Sequence, residues 1–317
     1  LLQELPLRDE LVERVKSVLR PVVRHRTLLE KAKYLGTKVL EPQTGNDRIA
    51  ALLLEGKPRA FGKMGASELG GLRRYEGRKS ADGTCHSWGP HRVRLNLNAG
   101  VYPADDEILS RFCPLYSDAL GDLDILAVWY HRGERRLVST FAPTATLASL
   151  TALEPFYHER PWSRHLAGKR VLVISPFAET IRSQYARREA VWRHKPEVLP
   201  SFELDTLRCP LSAELVKPVF PDWFTALDAM KEQMNRKIYD VLIVGAGAWS
   251  LPLVSHAKRQ GKWAIHLGGT TQILFGIRGM RWDDNTFLRT MYNECWVRPG
   301  PEDRPQTLRK IENGCYW

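Results

Sequence analysis

Residues Tyr239 to Gly276 read YDVLIVGAGAWSLPLVSHAKRQGKWAIHLGGTTQILFG, and their pattern decides the fold. Asp240 to Val244 is a short Val- and Ile-rich run bounded by glycine. That length and composition suit a strand buried on both faces of a parallel sheet. Gly245 and Gly247 allow a sharp turn at its carboxyl end. Leu251, Leu253, Val254 and Ala257 then form an apolar stripe at helical spacing, which Gly261 stops. Trp263 to Leu267 predicts the next strand, and Gly268-Gly269-Thr270-Thr271 opens another helix. Two glycine turns thus fall at the carboxyl ends of two neighbouring strands, the edge where open α/β sheets bind ligands. Helix N-termini favour anions there, so phosphate is the expected guest.

Outward from this unit, strands alternate with helices from residue 59 to 276. Strands are expected at Arg59 to Met64, Arg92 to Leu97, Leu123 to Tyr130, Val171 to Ser175 and Phe202 to Arg208. Helices are expected through Glu68 to Tyr75, Ala104 to Leu120, Thr144 to Tyr157, Pro176 to about His194, and Pro221 to Lys237. Such alternation calls for an α/β fold, a Rossmann-like parallel sheet flanked by helices on both faces. Residues 8–34 predict a basic amphipathic helix, kinked at Pro21. This arm would pack on its own domain, on a second subunit in a homo-oligomer, or on a membrane surface as a peripheral contact. Pro42 to Asp47 reads as a loop separating an N-terminal helical arm, 1–47, from a catalytic domain, 48–317.

The net charge of +11 favours anionic partners. The arginines are dispersed and no nucleic-acid-binding module is recognisable, so no nucleic-acid partner is expected. No apolar run reaches bilayer length and no signal peptide is visible. The five cysteines are odd in number and form no C-x-x-C, which argues against a disulfide framework or a zinc site. A cytoplasmic setting, with contact to the inner face of the membrane, is expected.

A nicotinamide or flavin site is the first alternative, and the details oppose it. The third glycine of G-x-G-x-x-G is Ser250, and the second strand ends in His266-Leu267-Gly268-Gly269 with no carboxylate for a ribose. Two first-turn carboxylates follow strand ends, Glu68 and Glu179. Each either favours its helix dipole or faces the ligand. Trp129-Tyr130-His131 ends a strand and can stack on a ring or plug the sheet edge. Arg281-Trp282 pairs a cation with an aromatic, Trp296 is another candidate stacking face, and the aromatic stretch Glu312 to Trp317 is expected to fold back over the cleft.

These pieces resemble the GT-D-fold glycosyltransferases. That family has a strand followed by R-F-G-D-G-E; here Lys63-Met64-Gly65-Ala66-Ser67-Glu68 matches it at Gly65 and Glu68, with Ala66 in place of Asp. Its late strand, glycine turn, helix and D-i-G-H strand end resemble Val244-Gly245-Ala246-Gly247, Leu253, Gly261 and Ile265 to Gly269. His266 takes the family's Asp position and Gly269 its His position. Ile265 to Trp282 is also similar to a phrase of bacterial proteins encoded near polysaccharide genes. The likeness spans residues 58–280. It implies transfer of a sugar from a nucleotide-diphosphate sugar to the hydroxyl of a glycan or other acceptor. Gly65, Ser67, Gly245, Gly247, His266, Gly268, Gly269, Thr270, Thr271, Gln272 and Arg281 would hold the donor. Glu68 would be the catalytic base or the remaining ligand of Mn2+ or Mg2+, and Glu179 the second carboxylate. Trp129, Trp282 and Trp296 would stack on sugar faces, and Arg278, Arg281 and Arg298 could neutralise a leaving diphosphate. A nucleotide-dependent oxidoreductase and a non-catalytic polysaccharide-assembly protein are the rival readings.

Overall fold

A computed structural model of the protein describes residues 27–211, 217–305, 307–308 and 314–317. Among them, eight strands form one all-parallel sheet: β1 (Val39–Leu40), β2 (Arg59–Lys63), β3 (Ile125–Val128), β4 (Thr146–Ser149), β5 (Arg170–Ser175), β6 (Glu203–Arg208), β7 (Val241–Val244) and β8 (Trp263–His266). Their spatial order is β1-β4-β3-β2-β8-β7-β5-β6. Helices cover both faces, giving a Rossmann-like α/β architecture. The strands are buried on both sides: along β5, Leu172 and Ile174 enter one core cluster while Val171 and Val173 enter the other.

The strand order positions the site. β2, β3 and β4 step outward in one direction. The chain then crosses to β5, and β7 and β8 step back until β8 pairs with β2, Phe61 opposite Ile265. After β2, the helix Ala66–Glu76 packs Leu69 and Leu72 into the first core cluster. After β8, the helix Thr271–Leu274 packs Ile273 and Leu274 into the second. Adjacent strands whose following helices leave on opposite faces define a topological switch point, and a crevice opens at their carboxyl ends.

Three stretches depart from the sequence expectations. Arg92 to Leu97 is the body of a helix, Pro90–Leu97, with Pro at its first turn and only Leu95 fully buried. The expected helix from Thr144 to Tyr157 is instead β4 followed by two short 3₁₀ turns, Leu150–Leu153 and Pro155–Tyr157. Pro155 disfavours an α-helix through this stretch, and Thr146 to Ser149 completes the ladder beside β3. Pro42 to Asp47 opens the helix Pro42–Leu54 and is no loop. Gly45 lets that helix approach closely, since a Cβ there would come within 2.6 Å of Ala152 Cβ. Asn46 is wholly buried, accepting from the Trp162 amide at 2.8 Å and donating to the Arg160 carbonyl at 2.8 Å. The sheet therefore begins at residue 39, ahead of residue 48. Of the helix expected over 8–34, residues 27–32 are helical and 8–26 lie outside the described residues. The helix expected from Pro176 to His194 is broken into Ala178–Tyr185 and Arg188–Val191. No helix among the described residues is long and apolar enough to cross a membrane, and the five cysteines are free thiols.

Candidate functional site

A cavity of about 480 Å³ occupies the switch-point crevice, at the carboxyl ends of β2, β3, β5, β7 and β8. That volume lies in the range of small-molecule sites. The two glycine turns meet on its floor. A Cβ added at Gly245 would lie 2.5 Å from the Gly268 carbonyl and 2.6 Å from Thr271 Oγ1. Gly247 has φ +54°, and a Cβ there would lie 2.7 Å from the Ala99 carbonyl. Gly268 has φ +62° and faces Lys63, whose Cε would be 3.3 Å from an added Cβ. Gly269 is covered by Tyr316 and Trp282.

The charges of the crevice come from several elements. Lys63, the last residue of β2, is 5% exposed. Its Nζ stands 4.9 Å over the ring of Trp129. Glu154, between the two 3₁₀ turns after β4, is 7% exposed and lines the same cavity. Burial drives both groups towards their neutral forms and outweighs their mutual attraction, lowering the Lys63 pKa and raising that of Glu154. Arg281 reaches in from the turn after Gly279 and donates to the Tyr316 hydroxyl at 2.6 Å. His266 is buried at the end of β8. Burial, and then the nearby Lys63 charge, push its pKa down to about 3, so it is a neutral imidazole at pH 7. Its Nδ1 has no hydrogen-bond partner, and neither do Thr271 Oγ1 and Gln272 Oε1. The Gln272 amide nitrogen donates to the Tyr316 carbonyl at 2.7 Å, which fixes the orientation of that amide.

Glu68 is buried in the first turn of its helix, with its carboxylate folded back over Gly65. A side chain at residue 65 would push that carboxylate aside. Among the described residues, no three His, Cys, Asp or Glu side chains gather in a metal-binding group. Ala66 stands where the resembled motif has Asp, so Glu68 is the one carboxylate that motif supplies here. A metal would have to take most of its oxygens from a ligand and water.

The aromatic wall has its own support. Trp129 and His131 stack at 5.4 Å with planes 18° apart, on either side of Tyr130, whose φ is +60°. Glu134, wholly buried, ties this hook down by accepting from the amides of Trp129 at 3.1 Å and His131 at 3.2 Å. Burial raises its pKa to about 7 despite those bonds. Trp282, Tyr316 and Trp317 also line the cavity. Trp317 is anchored by its indole N–H on the Asp303 carbonyl at 2.9 Å.

No family model, no curated protein and no solved structure matches the chain.

The cavity brings together Gly65, Ser67, Glu68, Trp129, Gly245, Gly247, His266, Gly268 to Gln272, Arg281 and Trp282. It leaves out four of the expected residues. Glu179 is a surface carboxylate paired with Arg182 at 2.5 Å, one turn along the same helix. Trp296 is buried away from the cavity against Trp192 and Tyr292, its indole N–H on the Val191 carbonyl. Arg278 and Arg298 also stay outside, both directed at Asp283, Arg298 at 2.5 Å. Lys63 and Glu154 belong to the cavity and were not among the residues singled out from sequence. The signals for Lys63 were its place near the end of a buried strand and at the Arg position of the resembled R-F-G-D-G-E stretch. Glu154 gave none, because its segment reads as a helix.

Proposed function

We propose that the protein is a glycosyltransferase that takes its sugar from a nucleotide-diphosphate donor and passes it to a hydroxyl acceptor. The observation that supports this reading is the meeting of two glycine turns at the switch-point crevice, with Lys63 and Arg281 beside them and a carboxylate, Glu68, at the same edge. Glycine turns admit the backbone close to a phosphate, and fixed cations stabilise the charge that builds up as a diphosphate departs. In the proposed step the bond from the sugar's anomeric carbon to the donor phosphate breaks, and the diphosphate leaves with its electron pair. The acceptor oxygen bonds to that carbon, and its proton passes to Glu68. Trp129 and Trp282 offer ring faces for the sugar. Glu179 and Trp296 have no part in this reading.

A thermal-shift panel of nucleoside diphosphates and their sugars, with and without manganese, tests it. A ligand that binds the folded state raises Tm by mass action. Stabilisation by at least one nucleoside diphosphate sugar is expected, and Glu68→Gln should keep that shift while losing turnover. Wild-type turnover in E68Q would remove Glu68 from the mechanism. A flat panel would remove the donor.

A further inference from the structure

We propose that Lys63 is the cation that receives the ligand's phosphate, and that Glu154 is the resident counter-charge which that phosphate displaces. The assignment rests on the diphosphate reading of the same crevice and adds the residues that would receive the anion. Lys63 ends β2, on the crevice itself, where β2 and β8 diverge. Its stem passes Gly268, where a Cβ would press on Cε at 3.3 Å, and its amine lies on the face of Trp129. The amine is therefore held in place by the strand, the ring and the second glycine turn.

Two cations, Lys63 and Arg281, oppose each other in this space, and Glu154 attracts both. Yet no direct ion pair or hydrogen bond joins Lys63 to Glu154. Among the described residues no carboxylate touches the buried Lys63 amine, an arrangement that costs stability unless something else completes it. A phosphate does so: its oxygens accept charge-assisted hydrogen bonds from the amine, which a carboxylate at a distance cannot match. The neutral His266 adds no competing charge. Glu154 then offsets the charge of Lys63, and weakens every anion that enters.

Calorimetric titration with inorganic pyrophosphate, using the full chain, reads the two roles with opposite signs. Lys63→Met, which keeps the stem and removes the charge, is expected to weaken binding about 10- to 100-fold. Glu154→Gln, isosteric and neutral, is expected to tighten it about tenfold, because a nearby like charge has gone. A purely structural pair would weaken binding in both variants. K63M binding pyrophosphate as tightly as wild type, or wild type not binding it at all, overturns the Lys63 assignment. E154Q binding no tighter overturns the displacement; that variant is informative even if K63M fails to fold. The sugar-transfer reading fails separately: a Lys63-dependent pyrophosphate site that ignores every nucleoside diphosphate sugar keeps this inference and sinks that one. Nucleotide-sugar binding that survives K63M does the reverse.

Discussion

The turn after β7 and the turn after β8 are built from similar residues, glycines closing a buried parallel strand, but their glycines meet different neighbours. Gly245 and Gly247 face backbone: the Gly268 carbonyl for one, the Ala99 carbonyl for the other. Gly268 and Gly269 face side chains: Lys63 and His266, Tyr316 and Trp282. Backbone cannot move aside without moving a strand or a turn, whereas the end of a lysine can. The first turn is thus a packing joint that lets three chain segments converge, and the second shapes the surface a ligand would meet. A glycine pattern by itself does not separate these two uses; the neighbouring atoms do.

The largest test of that contrast is Gly245→Ala. Its Cβ would lie 2.5 Å from a backbone oxygen and 2.6 Å from the Thr271 hydroxyl. Overpacking against backbone should cost about 3 kcal/mol, the upper part of the usual range. Urea unfolding should show a lowered midpoint at unchanged slope. A variant as stable as wild type would mean that the joint is loose, and the distinction between the turns would lose its first half.

Much of this architecture was legible in the sequence, and the reason is local. β7, β8 and their turns are short apolar runs punctuated by glycine, a signal that needs no long-range information. That β8 also pairs with β2 is invisible locally, because the partners stand about 200 residues apart, and this pairing creates the switch point. Lys63 therefore reads as an ordinary charge near a strand end until Gly268 and Trp129 are brought beside it. Glu154 was hidden for another reason. Leu147, Leu150, Leu153 and Tyr157 have helical spacing, while tertiary pairing with β3 makes the first part of that stretch a strand. Glu179 and Glu68 look equivalent as first-turn acids. Only the fold separates the one over Gly65 from the one held by Arg182 on the surface.

The second test uses pH, since the first turn carries no titratable side chain and the second carries His266. An unfolded histidine titrates near 6.5, and His266 in the fold near 3. Below pH 6.5 the unfolded chain binds a proton that the folded chain refuses. The stability tied to His266 is complete above pH 6.5 and is lost progressively as pH falls towards 3. By pH 5 the loss should be about 2 kcal/mol, at roughly 1.4 kcal/mol per pH unit. Other histidines with lowered pKa, such as His158 and His256, add to the slope. The quantity to read is therefore the difference between wild type and His266→Asn from pH 7 to pH 5. Parallel curves would show that His266 is protonated as easily folded as unfolded, and so is not sealed in the crevice floor.

The smallest expected effect on stability, and the one that sharpens the contrast most, belongs to Gly268→Ala. A non-glycine residue at φ +62° costs about 1 kcal/mol. The new Cβ would stand 3.3 Å from Lys63 Cε and 3.4 Å from His266 Cε1, contacts that a flexible stem relieves by shifting a few tenths of an ångström. The fold should survive, while the amine moves off the Trp129 face and pyrophosphate binding weakens. Gly245→Ala should show the opposite balance, a large loss of stability with whatever protein remains folded still binding. Unfolding curves and titrations on the two variants place each turn on one side of that balance. Should G268A lose as much stability as G245A and bind pyrophosphate unchanged, the second turn would be a packing joint like the first, and the crevice would owe its charge placement to something other than Gly268.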